Sequence, residues 1–442
     1  MPVPDLSTLP PAERATRSEL FKPLKLGSMV VQHRIALAPL TRNRGKPSEK
    51  VEGTWYPWEI QSEYYCQRAT EGGLLISEAL PVSLQAVGAS MTNVPGIWTE
   101  EQIVGWKKVV SEVKATGAVF VAQLFHGGRS CNHSSLVRAC CPSATRVENT
   151  LGGGPGDVPV EMTEADIQRT IGDFVQAAKN AMECGFDGVE IHGGNGYLPD
   201  QFLHTNINTR TDRYGGSVEN RNRFVLELCD AVAAAIGPDR FALRLAPYGF
   251  FNETRGQERK VQWTKLCEEL ATRKYAYIHF MEARYDEVLS ESTKLAALGK
   301  EMTSDFSSDG LPTIAPFRAA LGGVSGTPVI VAGGYDTENI WDVVDSRKAD
   351  LVALGRYFTS NPDLVYRIKH GKPLVKYVRP RFYAFPGKEY QEGYTDFSKH
   401  EDNLTSDVER ARWEEHVKRG IVVAKPGWQL SQDGVQLGEI YV

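Results

Sequence analysis

The chain is 442 residues long, 41% hydrophobic, 24% charged and 10% aromatic, and its 50 basic against 55 acidic side chains leave a formal charge of −5. That balance argues against a nucleic-acid binder built on clustered Lys and Arg, and a chain this long buries enough surface to fold without disulfides or a structural metal. No apolar run approaches the ~20 residues a bilayer requires, and the first twenty residues, with Pro2, Pro4, Pro10 and Pro11, lack a signal peptide's apolar stretch, so no membrane partner and a cytoplasmic location are expected.

Along the chain, short runs rich in β-branched residues alternate with longer helical patterns. The pattern predicts strands at Arg34–Leu40, Leu74–Leu80, Ala118–Phe125, Gly188–His192, Phe241–Pro247, Tyr275–Glu282, Pro328–Ala332 and Asp350–Leu354. Helices are predicted near Trp58–Thr70 and at Thr99–Thr116, Thr163–Cys184, Ser217–Ile236, Lys260–Thr272, Thr313–Leu321, Thr337–Arg347 and Pro362–His370. Thr99 and Thr163 each place a hydroxyl before a helix and an amide or acid three residues on, a reciprocal cap for free backbone donors. Eight strands each followed by a helix close most simply into an α/β fold of the (β/α)8 TIM barrel kind, with the active site at the strands' C-terminal ends; a doubly wound open sheet is the rival.

Two regions stand outside this repeat. Gly127–Val160 is a long excursion after the third strand, and from about Phe397 the chain carries an amphipathic, charged helix (Val408–Arg419) and a polar end. The simplest division is an N-terminal segment 1–19, a barrel domain 20–397 and a C-terminal extension 398–442. The seven cysteines are odd in number and mostly isolated, which fits a reducing compartment. Cys131, His133, Cys140 and Cys141 cluster within the excursion, but without two separated ligand pairs they read as incidental loop thiols, and no metal is expected.

The informative positions follow the strands. The fourth strand runs into His192-Gly-Gly-Asn195-Gly-Tyr197, where glycines allow a sharp turn and a close approach to a ligand, while His192 and Asn195 can donate hydrogen bonds to one acceptor. Two donors aimed at a carbonyl oxygen stabilise the charge that develops when a nucleophile adds to its conjugated system. Arg244 sits inside the hydrophobic strand LRLAP, where an unpaired guanidinium is costly, so it needs an anionic ligand or a structural salt bridge.

The segment HGGNGYLPDQFLHTNINTRTDRYGGSVENRNRF (192–224) strongly resembles the old yellow enzyme family of FMN-dependent ene-reductases, which includes the 12-oxophytodienoate reductases. Further matching stretches follow in the family's order: LFKPLKLGSMVVQHRIALAPLTR, AQLFHGGR, LRLAPYG, VAGGY, LVALGRYFTSNPDL and RPRFY…EGYTDF, covering roughly residues 20 to 397.

The resemblance implies an NAD(P)H-dependent flavin oxidoreductase with bound FMN, reduced by NADPH or NADH, acting on a small-molecule enone or nitroalkene as a monomer or homodimer. It assigns His192 and Asn195 to the substrate carbonyl and Tyr197 to protonation of the α carbon, with hydride passing from flavin to the β carbon. Cofactor contacts are implied at Pro39, Leu40 and Thr41, at Gln123, His192 and Arg244, and at Tyr383 beside Phe382. A phosphate cradle is implied at Gly333, Gly334, Gly355 and Arg356, where glycines expose backbone N–H groups at the last two strand ends. Gly73, with Gly72, is read as a close approach to flavin. Substrate contacts are implied at Phe125, Met91 and Phe251; Phe125 stands where yeast relatives carry Trp and Met91 near a position often Tyr, which leaves substrate range open. No strand-borne G-x-G-x-x-G appears, consistent with reductant and acceptor using one flavin face in turn. The alternatives are a secondary-metabolite tailoring reductase or isomerase on the same scaffold, a non-catalytic flavin-binding protein, and a colourless barrel enzyme whose glycine cradle holds a substrate phosphate.

Overall fold

A computed structural model describes residues 6, 8–88, 91–150, 153–283, 293–294, 296, 312–384 and 389–418. Eight parallel strands close into a barrel: β1 (Ile35–Leu37), β2 (Leu74–Pro81), β3 (Val119–Phe125), β4 (Gly188–Gly193), β5 (Phe241–Leu245), β6 (Tyr277–Met281), β7 (Val329–Ala332) and β8 (Leu351–Leu354). The ring shuts where Val352 of β8 pairs with Ile35 of β1. Helices α1 (Glu59–Arg68), α2 (Glu100–Lys114), α3 (Glu164–Cys184), α4 (Val218–Ile236), α5 (Arg259–Ala271), α6 (Ala315–Ala320), α7 (Ile340–Asp345) and α8 (Leu364–His370) follow the strands in turn. Among the described residues no helix is long and apolar enough to cross a membrane.

Strand alternation explains both layers of the core. Residues such as Ile191, Leu243 and Leu124 face outward to the helices, while Ala36, Ile76, Val121, Ala242, Ile330 and Ala353 face the barrel interior. The strands read as continuous apolar runs because both faces are buried. A hairpin, Leu24–Leu26 with Met29–Val31, packs Leu26, Met29 and Val31 into the interior cluster. Ser28 N donates to Asp239 O, just before β5, and Gln32 N to Gly72 O, just before β2, so the hairpin closes the N-terminal end.

All eight predicted strands and their helices are present, and both predicted caps form. Gln102 N reaches Thr99 Oγ1 at 3.3 Å, and Asp166 N reaches Thr163 Oγ1 at 3.1 Å. Differences lie at the ends. The first strand stops at Leu37 because Pro39 has no N–H for the ladder. The predicted Thr337–Arg347 helix shortens to Ile340–Asp345 because Asp336 takes the amides of Glu338 and Asn339 in a preceding turn.

The excursion is less irregular than expected: Cys140–Cys141 and Val160–Glu161 form a short parallel ladder. Its cysteines are buried, with burial pushing Cys131 up to about 12 and Cys141 to about 11. Among the described residues no group of three or more His, Cys, Asp or Glu is disposed to hold a metal. In the C-terminal extension the helix runs Asp407–Lys418 and turns one face, Glu409, Arg412, Trp413 and His416, inward, with His416 buried against Ser398 and the remaining residues exposed. Arg419, at the predicted end, lies outside the described residues.

Candidate active site

The barrel interior changes character toward the C-terminal ends. In-register pairing sets Gln123 of β3 beside Glu190 of β4, His192 of β4 beside Arg244 of β5, and Arg244 beside His279 of β6. Gln123 Nε2 donates to Glu190 Oε1 at 2.7 Å, and Glu190 Oε2 lies 3.0 Å from His279 Nδ1. Burial pushes the Glu190 carboxyl upward, but His279 and Arg244 outweigh it and the group sits below its usual range, ionised inside the barrel. Burial, with Arg244 and His279 nearby, holds His192 well below the usual histidine range, so its ring is neutral and carries one N–H.

Above this layer the chain leaves β4 through Asn195 and Gly196, both left-handed at φ 58° and 69°. A Cβ on Gly196 would lie 2.7 Å from Phe251 O and Asn252 Cβ, so only glycine lets this turn pack against the loop after β5. The turn delivers Tyr197 edge-on to Phe125 (4.6 Å between ring centroids) and to His192 (5.1 Å), with Phe251 at 6.4 Å.

Among the described residues, several polar atoms at and just beneath this mouth are buried without a hydrogen-bond partner: His192 Nδ1, Asn195 Oδ1, Arg244 Nε and His279 Nε2. Among the described residues Arg244 also forms no ion pair. Buried polar groups are normally satisfied, so orphaned donors and acceptors converging on one opening mark a ligand site, and an anionic or carbonyl-bearing ligand suits them.

The other expected residues fall into three groups. Pro39, Leu40 and Thr41 follow β1, beside the end of β8, where a Cβ on Gly355 would lie 3.1 Å from Leu40 Cδ2. Gly333 and Gly334 follow β7, and Gly355 and Arg356 follow the neighbouring β8, so the four sit at adjacent strand ends. Tyr383 is exposed beside Phe382, and Met91 is half-buried in the loop after β2, where Thr92 O accepts from Asn43 Nδ2 at 2.6 Å.

Gly73 is a correction. It precedes β2 at the closed end, where its carbonyl accepts from Val119 N and a Cβ would lie 2.2 Å from Thr70 Oγ1 and 3.0 Å from His33 Nε2. Gly73 and Gly72 therefore serve packing under the barrel, across the molecule from the mouth.

Several residues at the site carry no expectation from the motifs. Glu190 and His279 lie beneath it, and Arg42 and Arg44 beside it. Arg42 donates to Phe382 O and Gly393 O, and Arg44 to Tyr390 O and Phe382 O, which straps the segment bearing Tyr383 to the end of β1. Burial pushes the nearby Glu78 carboxyl up to about 7. Each of these is a charged or polar side chain within or just after an apolar strand, the signal that singled out Arg244.

The sequence profile of the NADH:flavin oxidoreductase / NADH oxidase family matches residues 19–374. The chain belongs to this family. It is 43% identical over 391 residues to flavin oxidoreductase hxnT of Emericella nidulans, covering 86% of this chain and 97% of that protein. It is 37% identical over 394 residues to 12-oxophytodienoate reductase 2 of Arabidopsis thaliana, covering 87% and 97%. The solved structure of morphinone reductase superposes with a TM-score of 0.74 at 34% identity, covering 88% of this chain and 98% of that one. The protein is an old yellow enzyme-type FMN oxidoreductase using NAD(P)H, which removes the colourless phosphate-binding barrel from consideration. The orphaned Arg244 Nε–H at the mouth fits a group with an electron-rich edge such as FMN.

Proposed function

We propose that this old yellow enzyme-type protein reduces activated C=C bonds of α,β-unsaturated carbonyl or nitro compounds. The reading rests on one observation: His192, whose buried Nδ1 has no partner among the described residues, lies 5.1 Å ring to ring from Tyr197 at the barrel mouth, with Asn195 in the turn between them.

FMN, once reduced by NAD(P)H, supplies the hydride for the acceptor's β carbon. Pro39, Leu40, Thr41, Gln123 and Arg244 would hold its ring system, and Gly333, Gly334, Gly355 and Arg356 its phosphate. The chain's own residues do the rest. The His192 N–H and the Asn195 amide donate to the acceptor's carbonyl oxygen, and each such donor to a developing oxyanion is worth about 3 kcal/mol in a site of this kind. Because His192 stays neutral, it polarises the acceptor without protonating it, which leaves the Tyr197 hydroxyl to protonate the α carbon. Phe125, edge-on to the Tyr197 ring at 4.6 Å, and Phe251, 6.4 Å from that ring, would line the acceptor space together with Met91 of the loop after β2.

Tyr197→Phe tests the assignment. Alkene reduction should slow by about 10²- to 10⁴-fold, the range for losing a general acid, while flavin reduction by NADPH changes little. Equal slowing of both half-reactions in stopped flow would remove Tyr197 from the acid role.

A further inference from the structure

The excursion after β3 and the loop after β5 meet at a built contact that the chemistry above does not use. Arg129, at the start of the excursion and 3% exposed, donates through Nη1 to Arg146 O at 3.0 Å and through Nη2 to Asn252 O at 2.8 Å. In return, Glu253 Oε2 accepts from Glu148 N at 2.9 Å, and its Oε1 accepts from Asn149 N at 3.0 Å and Asn149 Nδ2 at 2.9 Å. Asn206 Nδ2 adds a bond to Glu253 O at 2.8 Å.

This contact holds a strained backbone. Asn252 and Glu253 are consecutive non-glycine residues in the left-handed region, at φ 54° and 58°, a conformation that disfavours L-residues by roughly 1 kcal/mol or more each. Such a pair persists only where its surroundings over-determine it. Its output is equally specific. Asn252 Nδ2 donates to Asn195 O at 2.9 Å, and Asn195 is itself left-handed at φ 58°. On the other side of the turn Gln201 Nε2 donates to Gly196 O at 2.8 Å and to Gly127 O at 3.0 Å, while Arg129 N donates to Gln201 Oε1 at 3.2 Å. The turn that carries Asn195 is thus gripped from both sides by groups anchored in the excursion.

We propose that Asn252 is a positioning residue for the acceptor site, and that Arg129 and Glu253 lock it to the excursion so that the Asn195 amide faces the acceptor's carbonyl. The excursion then acts as a brace for the site. This inference rests on the reading of Asn195 given above.

The test compares Asn252→Gly, Glu253→Gly and Asn195→Ala in the FMN-loaded protein. Glu253→Gly removes the carboxylate clasp and Asn252→Gly the bond to Asn195 O, and each relieves the backbone strain at its own position, so folding is retained. In both, KM for 2-cyclohexenone should rise about tenfold, the equivalent of one hydrogen bond's free energy, with kcat little changed. Amide exchange should accelerate at residues 195–197 in both variants and at 148–149 in Glu253→Gly, a readout independent of turnover. Unchanged KM and unchanged exchange at 195–197 in the glycine variants, with Asn195→Ala raising KM, would overturn the clasp and leave the site assignment standing. An unchanged KM in Asn195→Ala would instead overturn the reading of the site, and the clasp with it.

Discussion

The two ends of the barrel are built from the same strands and obey opposite rules. At the closed end Leu26, Met29 and Val31 of the hairpin interlock with Leu74, Val119, Tyr277 and Leu351, and a Cβ added at Gly27, Gly72 or Gly73 would strike a neighbour at 2.0 to 2.3 Å. At the open end the packing stops, and His192, Asn195 and Arg244 each hold a buried polar atom that nothing in the described chain satisfies. Dense packing makes the closed end a source of stability. The unsatisfied groups make the mouth a liability to the fold that a bound ligand relieves. Changes at the closed end should therefore move stability and spare chemistry, and changes at the mouth should do the reverse.

The largest effect belongs to the closed end. Leu26→Ala should cost about 2 to 5 kcal/mol of stability, the range for truncating a buried leucine, while FMN content and enone kinetics stay as they were. Chemical denaturation alongside steady-state assay decides it. A variant with altered kinetics and intact stability would erase the contrast.

Glu78, on β2 beside the strapped β1 loop, follows in size. Its pKa in the fold is about 7 against 4.5 for the unfolded chain, so the fold retains a proton that the unfolded chain gives up first. The contribution is full below pH 4.5 and falls away as pH rises to 7, by about 3 kcal/mol. Glu78→Gln should flatten that part of the melting-temperature profile, and an unchanged slope would show that other groups set it.

Arg244→Met probes the mouth in the opposite direction. FMN affinity should fall roughly 10- to 100-fold, the scale for losing a charge-assisted hydrogen bond, while the apoprotein's melting point changes little, because the desolvation cost of the buried guanidinium and its attraction for Glu190 are lost together. Fluorescence titration with FMN and a thermal melt give the two numbers, and a destabilised apoprotein with normal FMN binding would make Arg244 a structural residue. The smallest effect is expected from Gly73→Ala. The methyl must displace the Thr70 hydroxyl, at a cost of about 1 kcal/mol, with FMN binding untouched.

Much of this contrast is legible in the sequence. The strands are apolar on both faces, so runs such as FALRL and VFVAQLF stand out from the surrounding helices, and the Thr99 and Thr163 caps mark helix starts. The mouth is legible because His192, Asn195 and Tyr197 fall within six residues at the end of one strand. Gly73 shows where motif logic needs the topology beside it: a residue preceding a parallel barrel strand lies at the closed end whatever its sequence neighbours suggest. Glu190, His279 and Glu78 repeat the signature of Arg244, a polar side chain inside an apolar strand, and the same argument extended to them would have exposed the buried layer. The Glu253–Asn149 clasp joins segments 104 residues apart and is visible only once the barrel has closed.

In the proposed reaction, His192 at the end of β4 and Asn195 just beyond it hold an acceptor in reach of a redox centre at the mouth. Anaerobic titration of the NADPH-reduced protein with 2-cyclohexenone, followed by the flavin's visible absorption, tests it most directly. Stoichiometric reoxidation is expected in the native protein and none on the same timescale in the His192→Ala, Asn195→Ala double variant, with FMN retained in both. A native flavin that stays reduced, or a double variant that reoxidises at the native rate, would contradict it.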